Sequence, residues 1–416
     1  MKGIVHALSF LYVLTIPVEC VPELQLLHII FAHKTYAPIL DLINSNETSI
    51  PSNLTYEHFT SASFDMPNSG KLNMYNLGVH LRETYGTFLG DLYRPPIMKM
   101  RTAEYPLSII SGQLVNAGLW PPVGSQVWNS DLNWQPIPSD YVFAEEDTLL
   151  LGFQCPGFIS EKRKVLSTDG VRKTVQDHSS LFDYVSRYTG MDIKRPSEVA
   201  LLYAALETAA DLNQTLPNWA EDIFPHGEMY IATLLEYDLL SETPLQRQLN
   251  GGTFLKEILG NSLEYIRGSM SKMRKLMIYS GNERNIVAIL KSLDLWSPHI
   301  PNEAASLIFE MYFDNVTQSH GIKINYYTGV EGETIPLIIP NCTVICPLET
   351  LLDSFFHLVP ENSELLCNWR RIDLSDETIL ADDTIYSGSE SHKLKSITIS
   401  FLLLTILSVY QSAYTI

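Results

Sequence analysis

Leu24–Pro38, "LQLLHIIFAHKTYAP", is the stretch on which the fold turns. From Leu26 to Phe31 it is apolar at every position except His28. A run that is apolar on both of its faces is expected of a strand buried on both sides of a parallel sheet. The run stops at Ala32–His33 and gives way to a polar turn, beginning at Lys34, that ends in Pro38. A histidine standing just after a buried strand is an ordinary structural residue unless other chemistry converges on it.

Working outward, the spacing predicts a helix over Lys71–Leu92, with Leu72, Tyr75, Val79, Leu81, Tyr85, Phe88 and Leu89 on its apolar side. Met277–Ile278–Tyr279 is a second short buried-strand candidate, followed directly by the helix-like "IVAILKSL". Strand–turn–helix succession points to α/β layers. The middle of the chain differs. "PSEVALLYAALETAADL" opens with a helix-start proline at Pro196 and carries apolar residues at Val199, Leu202, Tyr203 and Leu206. "EMYIATLLEYDLL" and "GGTFLKEILGNSLEYIRG" repeat that periodicity. The expected organisation is an α/β core over 21–125 and 275–371, interrupted by a mostly helical cap over 126–274.

The 416 residues are 45% hydrophobic and 18% charged, an ordinary globular balance, with a formal net charge of -19. No basic stripe interrupts the acidity, which argues against a nucleic-acid partner. Residues 1–20, with Lys2 ahead of an apolar Ile4–Ile16, read as a secretory leader. Removing them leaves Cys155, Cys342, Cys346 and Cys367, an even count that suggests two disulfides in an oxidising compartment. Glycosylation sequons at Asn46, Asn53, Asn213, Asn315 and Asn341 fit the same route. Residues 372–395 read as a polar stalk. Residues 396–416 are a hydrophobic segment of roughly 20 residues, enough to span a bilayer. Its basic residues, Lys393 and Lys395, precede it, and small residues Ser387–Gly388–Ser389 lie upstream, so a glycolipid-anchor signal and a single span both remain open. The expected location is the secretory pathway: secreted, on the outer face of the plasma membrane, or lysosomal.

Several stretches together resemble the histidine acid phosphatase family, in its prostatic, lysosomal and venom-type branch. They are "AGLWPPVGSQVWNSDLNWQPIP" (Ala117–Pro138), "RQLNGGTFLKEIL" (Arg247–Leu259), "KLMIYSGNERNIVAILKSL" (Lys275–Leu293), "EMYFDN" (Glu310–Asn315) and "IPNCTVICPLETLL" (Ile339–Leu352). They occur in the family's order across Glu23–Arg371. The resemblance implies an open α/β core with an inserted helical cap, the pairing Cys155–Cys367 and Cys342–Cys346, and often a homodimer. It implies no cofactor, and no metal-binding motif appears in the chain.

The family's reaction, phosphate-monoester hydrolysis through a phosphohistidine, makes clear demands. A neutral histidine attacks phosphorus, arginine forks hold the non-bridging oxygens, and a carboxylic acid protonates the leaving oxygen. In sequence these are R-H-G-x-R-x-P after the first strand, a third arginine downstream, and a later His-Asp pair. Here His33 stands at the nucleophile position and Pro38 at the closing proline. Ala32 replaces the preceding arginine, Lys34 the glycine and Tyr36 the second arginine. Leu107 falls at the third arginine, and Asn282–Glu283 replaces His-Asp, leaving Glu283 at the proton-donor position. An interaction with a charged group contributes roughly 1.5–3 kcal/mol. Three missing arginines then remove on the order of 5–9 kcal/mol of transition-state stabilisation, about 10³- to 10⁶-fold in rate.

The resulting expectation is an acid-phosphatase-like protein with phosphatase activity lost or strongly impaired, binding a small phosphomonoester or another ligand in its cleft. The alternative is an active acid phosphatase using His33 with a rewired site, Lys34 and Arg284 serving as replacement anion ligands. A third reading makes His33 and Glu283 the acid and base of another reaction. A basic cluster of Lys34, Arg101 and Arg284 converging on His33 within about 5 Å favours the active enzyme. An apolar pocket formed by Tyr36 and Leu107 favours the binding protein.

Overall fold

The computed structural model of the protein describes residues 21–34 and 66–367. The leader, Tyr36, Pro38, Asn46, Asn53, the polar stalk and the hydrophobic C-terminal segment lie outside the described residues.

Strand β1 (Glu23–His33) occupies the middle of a seven-stranded sheet. The others are β2 (Met98–Thr102), β3 (Leu276–Asn282), β4 (Ser306–Asp314), β5 (Ser319–Tyr327), β6 (Thr334–Leu337) and the short β7 (Cys346–Pro347). Their order is β2-β3-β1-β4-β5-β6, with β7 also on β5. β1 runs parallel to β3, and β3 parallel to β2, but β1 is antiparallel to β4 and β4 to β5. The parallel sheet expected from β1 is therefore half right; the sheet is mixed. An apolar run reports that both faces are covered, and covering depends on the layers above and below, not on the direction of the neighbouring strand.

Both faces are indeed covered. Leu27, Ile29 and Phe31 enter one core, against helices α1 (Asn68–Leu89) and α2 (Pro106–Leu119). These two helices touch through glycine. A Cβ on Gly78 would lie 2.2 Å from the Val115 carbonyl oxygen, and one on Gly118 the same distance from that of Tyr75. The buried face of α1 is accordingly Met74, Leu77, Gly78, Leu81, Tyr85 and Leu89, while Leu72, expected inside, is exposed. The hydrophobic spacing misplaced the stripe because the closest contact is made by a residue with no side chain.

The inserted helical segment divides between two roles. Helices α3 (Ser179–Thr189), α4 (Pro196–Asp211) and α5 (Glu228–Leu239) build a core of their own around Leu181, Val185, Leu202, Tyr203, Trp219 and Met229. Helix α6 (Thr253–Arg267) instead packs on the sheet, with α7 (Glu283–Ser292) and residues around Phe153 and Phe158. These meet the other face of β1, contributed by Leu26, Ile30 and Ala32. Cys155 is bonded to Cys367 and Cys342 to Cys346, the pairing that the resemblance implied. Asn213, Asn315 and Asn341 are all exposed. Among the described residues no helix is long and apolar enough to cross a membrane.

His28 is the polar interruption of β1. It is 1% exposed, and among the described residues its Nε2 has no hydrogen-bond partner. Burial lowers its pKa from 6.5 to about 3. The unfolded chain therefore binds a proton that the folded chain refuses. Stability is unaffected by this group above pH 6.5 and is lost as pH falls from there toward 3. At pH 5 the loss is about 2 kcal/mol. His28→Leu is expected to lose that much less stability than the wild type between pH 7 and pH 5, measured by urea unfolding at both. Equal losses would rule His28 out as an acid-sensitive group.

Candidate functional site

Parallel pairing sets the last residues of β1 and β3 side by side, with His33 opposite Asn282. The C-terminal ends of parallel strands are where an open α/β sheet leaves a crevice. β3 passes directly into α7, and Asn282 is its N-cap. The Asn282 side-chain oxygen accepts from the Arg284 and Asn285 backbone N–H groups at 3.1 and 3.3 Å, and the Asn285 side chain accepts from the Asn282 N–H at 3.0 Å. The residue that replaces the family's second histidine thus starts a helix.

Glu283 opens that helix. A carboxylate is favourable there because it faces the positive end of the helix dipole. It is 9% exposed, so it is not the solvated helix-start group that its position alone suggests. Opposite it, β1 presents His33, 7% exposed, with Nδ1 3.1 Å from the Lys34 carbonyl oxygen. A carbonyl only accepts, so Nδ1 carries the proton and Nε2 keeps its lone pair. Burial lowers the His33 pKa, outweighing that hydrogen bond and the carboxylates of Glu283 and Glu303, which act in the opposite direction.

Glu303 arrives from the loop before β4. The Ala304 N–H donates to the Ala32 carbonyl, and the Ala32 N–H to that of Ala305, both at 2.9 Å. Ala304 itself adopts φ 65°, a left-handed conformation that costs a residue with a Cβ about 1–2 kcal/mol. The Asn73 side chain donates to the Glu303 carboxylate at 2.9 Å. The loop is thereby locked against the end of β1, with its carboxylate near His33.

Lys34 is paired with carboxylates of the chain. Its Nζ lies 2.8 Å from the Asp211 carboxylate and 3.6 Å from that of Glu207, both on α4. Burial works against the charge, but Glu207, Asp211 and Glu303 outweigh it and raise the Lys34 pKa. Glu207 is desolvated in turn. Burial pushes its pKa from 4.5 up to about 7, with Asp211 and Glu283 adding to the rise and Lys34 opposing it. Arg101 is committed elsewhere, bonded at 2.6 Å to the fully buried Asp147. Arg284 lies over the Phe153 ring, 5.5 Å from its centroid. Among the described residues Lys34 and Arg101 are thus each ion-paired with carboxylates of the chain.

Of the remaining site positions, Ala32 is completely enclosed in the apolar core. Leu107 packs against the core between the sheet and α1/α2. Tyr36 lies outside the described residues, and with it the expected pocket of Tyr36 and Leu107. Four carboxylates, Glu207, Asp211, Glu283 and Glu303, gather instead around His33 and Lys34. Sequence reasoning missed Glu207, Asp211 and Glu303. A faint signal for the first two exists: Tyr203, Glu207 and Asp211 repeat every four residues and so share one face of α4. Among the described residues no group of His, Cys, Asp and Glu is placed to hold a metal ion.

Residues 31–327 match the profile of the histidine phosphatase superfamily, branch 2. The chain belongs to that family. It is 34% identical to a venom acid phosphatase of Apis mellifera, across 90% of this chain and 96% of the relative. It is 30% identical to the prostatic acid phosphatase of Rattus norvegicus, across 83% of this chain and 89% of the relative. The phytase of Klebsiella sp. ASR1 superposes with a TM-score of 0.61 across 82% of this chain and 98% of the other, at 12% identity, a likeness of fold. This member of the family carries a histidine at the end of β1, on which the carboxylates of Glu283 and Glu303 act.

Proposed function

We propose that this acid-phosphatase-like protein does not turn over phosphate monoesters and acts by binding through its cleft. One observation carries the reading: Lys34, the cation next to His33 in sequence, is neutralised by Asp211 and Glu207, while the charges that act on His33 itself are the carboxylates of Glu283 and Glu303. A phosphoryl group carries its charge on oxygens that only accept hydrogen bonds, and transfer depends on donors and positive charge aimed at them. A site surrounded by acceptors and negative charge opposes both its binding and its transfer.

A second reading, an active acid phosphatase, draws on His33 alone. Burial lowers the His33 pKa, which favours the neutral ring a nucleophile requires. The two separate in one assay, hydrolysis of 4-nitrophenyl phosphate at mildly acidic pH by the full chain and its His33→Ala variant. The expected result is no difference between them. Turnover above about 1 s⁻¹ that vanishes in His33→Ala establishes the active enzyme instead.

Passage through the secretory route is part of the proposal. It is supported by the leader-like N-terminus, by two disulfides, and by the exposure of Asn213, Asn315 and Asn341 at their sequons. Relatives named venom and lysosomal acid phosphatases agree with it. Attachment to a membrane rests on the hydrophobic segment 396–416.

A further inference from the structure

We propose that Asn341 accepts a glycan only while the Cys342–Cys346 bond is open, so that closing this bond shuts the site. The inference rests on the reading that the chain passes through the secretory route, and goes beyond it by setting an order between two of the modifications made there.

The sequon Asn341–Cys342–Thr343 has one half of a disulfide as its middle residue. Such a sequon is read through two groups, the asparagine amide and the hydroxyl two residues on. A transferase that holds both needs the three residues drawn out on its surface. Asn341 is exposed, so burial is not the obstacle. The folded corner lacks the shape and has committed the hydroxyl. Asn341 adopts φ 64°, the Cys342 N–H donates to the Ile339 carbonyl at 3.0 Å, and the Thr343 hydroxyl donates to the Ile345 carbonyl at 2.7 Å. The disulfide makes this fold-back covalent. Full extension would set the Cα atoms of Cys342 and Cys346 about 13–14 Å apart; they are held at 5.0 Å. Cys346 is fixed in turn by β7, where it pairs with Ile322 of β5.

The other two described sequons are turned as well, but without this lock. Asn213 is left-handed with φ 55°, and the Thr317 hydroxyl lies 2.7 Å from that of Ser319. Hydrogen-bonded turns open and reclose unaided, whereas a disulfide needs an attacking thiolate. Timing sets up the contest at Asn341. Closure across a separation of 4 residues costs little chain entropy and need not await the sheet, while Cys155 and Cys367 are 212 apart. Oxidation still takes seconds or longer, so the sequon of the growing chain stays open for a time. In the transfer, Asn341 Nδ2 bonds to the anomeric carbon of an oligosaccharide carried on a lipid pyrophosphate. The bond from that carbon to the pyrophosphate oxygen breaks, and Nδ2 gives up one proton. In the closure, the sulfurs of Cys342 and Cys346 join and release two protons and two electrons. A protein disulfide takes up both and becomes a dithiol.

The test is mass spectrometry of the full chain expressed in a secreting animal cell, reading glycan occupancy at Asn213, Asn315 and Asn341 in the same molecules. In the wild type Asn341 is expected to be occupied less than the other two. In Cys346→Ser, which leaves Asn–Cys–Thr intact, its occupancy is expected to rise to their level. Cys342→Ser, which gives the sequon Asn–Ser–Thr, is expected to show the same rise. Dithiothreitol present during synthesis is expected to raise Asn341 alone in the wild type and to change nothing in Cys346→Ser. Because the glycan is added before the fold forms, and Asn213 and Asn315 report on each chain, a variant that folds poorly still gives an answer. Occupancy of Asn341 as high in the wild type as in both variants overturns the proposal. So does an Asn341 that stays empty in both variants while Asn213 is occupied, and so does a rise confined to Cys342→Ser, which assigns the effect to the residue inside the sequon. Each of these leaves the secretory reading standing. Absence of glycan from all three positions overturns both.

Discussion

Removing the Cys155–Cys367 disulfide, as Cys155→Ala with Cys367→Ala, is expected to cost this protein on the order of 5 kcal/mol of stability. The bond joins residues 212 apart, and both sulfurs are buried in the core that covers the α6/α7 face of the sheet. Cross-linking so long a loop removes a large share of the unfolded chain's freedom, and the gain grows with the logarithm of the loop length. The Cys342–Cys346 bond closes a separation of only 4 residues. The same relation gives about 2 kcal/mol for Cys342→Ala with Cys346→Ala. Urea unfolding of the two double variants beside the wild type measures both. Equal losses would show that loop closure is not how these bonds stabilise the fold, and that the packing of the sulfurs dominates. The difference also bears on the site. Cys155 lies close in sequence to Phe153, under the Arg284 guanidinium, and to Leu150, whose carbonyl accepts from the Asn285 side chain at 2.9 Å. The long disulfide therefore ties the C-terminal part of the described chain to the segment that braces the start of α7.

Much of this architecture is legible in local pattern. β1 and β3 are visible as apolar runs, α7 and the cap helices as periodic stretches, and the family motifs place them in order. What local pattern cannot carry is direction and partnership. The antiparallel half of the sheet, β4 through β6, adds strands to β1 from its other edge, and nothing in "LQLLHIIFAH" distinguishes a parallel neighbour from an antiparallel one. The site has the same limit in a sharper form. His33, Asn282 and Glu283 are marked by motif, but other carboxylates that act on His33 and Lys34 come from distant turns of the chain. Asp211 lies 177 residues from the lysine it neutralises. Glu303 is positioned by a loop whose geometry depends on backbone bonds to Ala32 and on the left-handed Ala304. A carboxylate on a polar helix face reads as solubility until the fold shows what it faces. Leu107, aligned to a phosphate ligand, is half-buried in the fold and packs against the core between the sheet and α1/α2.

Ala32→Arg, which restores the arginine that the family places before its nucleophile, is expected to destabilise the protein by on the order of 5 kcal/mol. Ala32 is 0% exposed and belongs to the apolar core that also holds Leu26, Ile30, Ala103 and Ile286. Its backbone is pinned on both sides, to Ala304 and to Ala305, so β1 cannot shift outward to make room. Two costs add. Forcing a long side chain into a packed apolar core costs about 1–3 kcal/mol. Leaving a guanidinium there without a buried partner costs about 3–5 kcal/mol more. Ala32→Leu separates them, because it overpacks the same space without a charge and is expected to cost only the first amount. Thermal or urea unfolding of the two variants checks the pair, and adding inorganic phosphate at high concentration tests whether any anion pocket persists. If Ala32→Arg matches the wild type in stability, or if phosphate stabilises it selectively over Ala32→Leu, the space beside His33 is still a phosphate site lacking only its arginine. If Ala32→Arg falls well below Ala32→Leu and phosphate does not recover it, the core has closed over that space. Loss of the arginine is then built into the packing of β1, and no single substitution at this position reverses it.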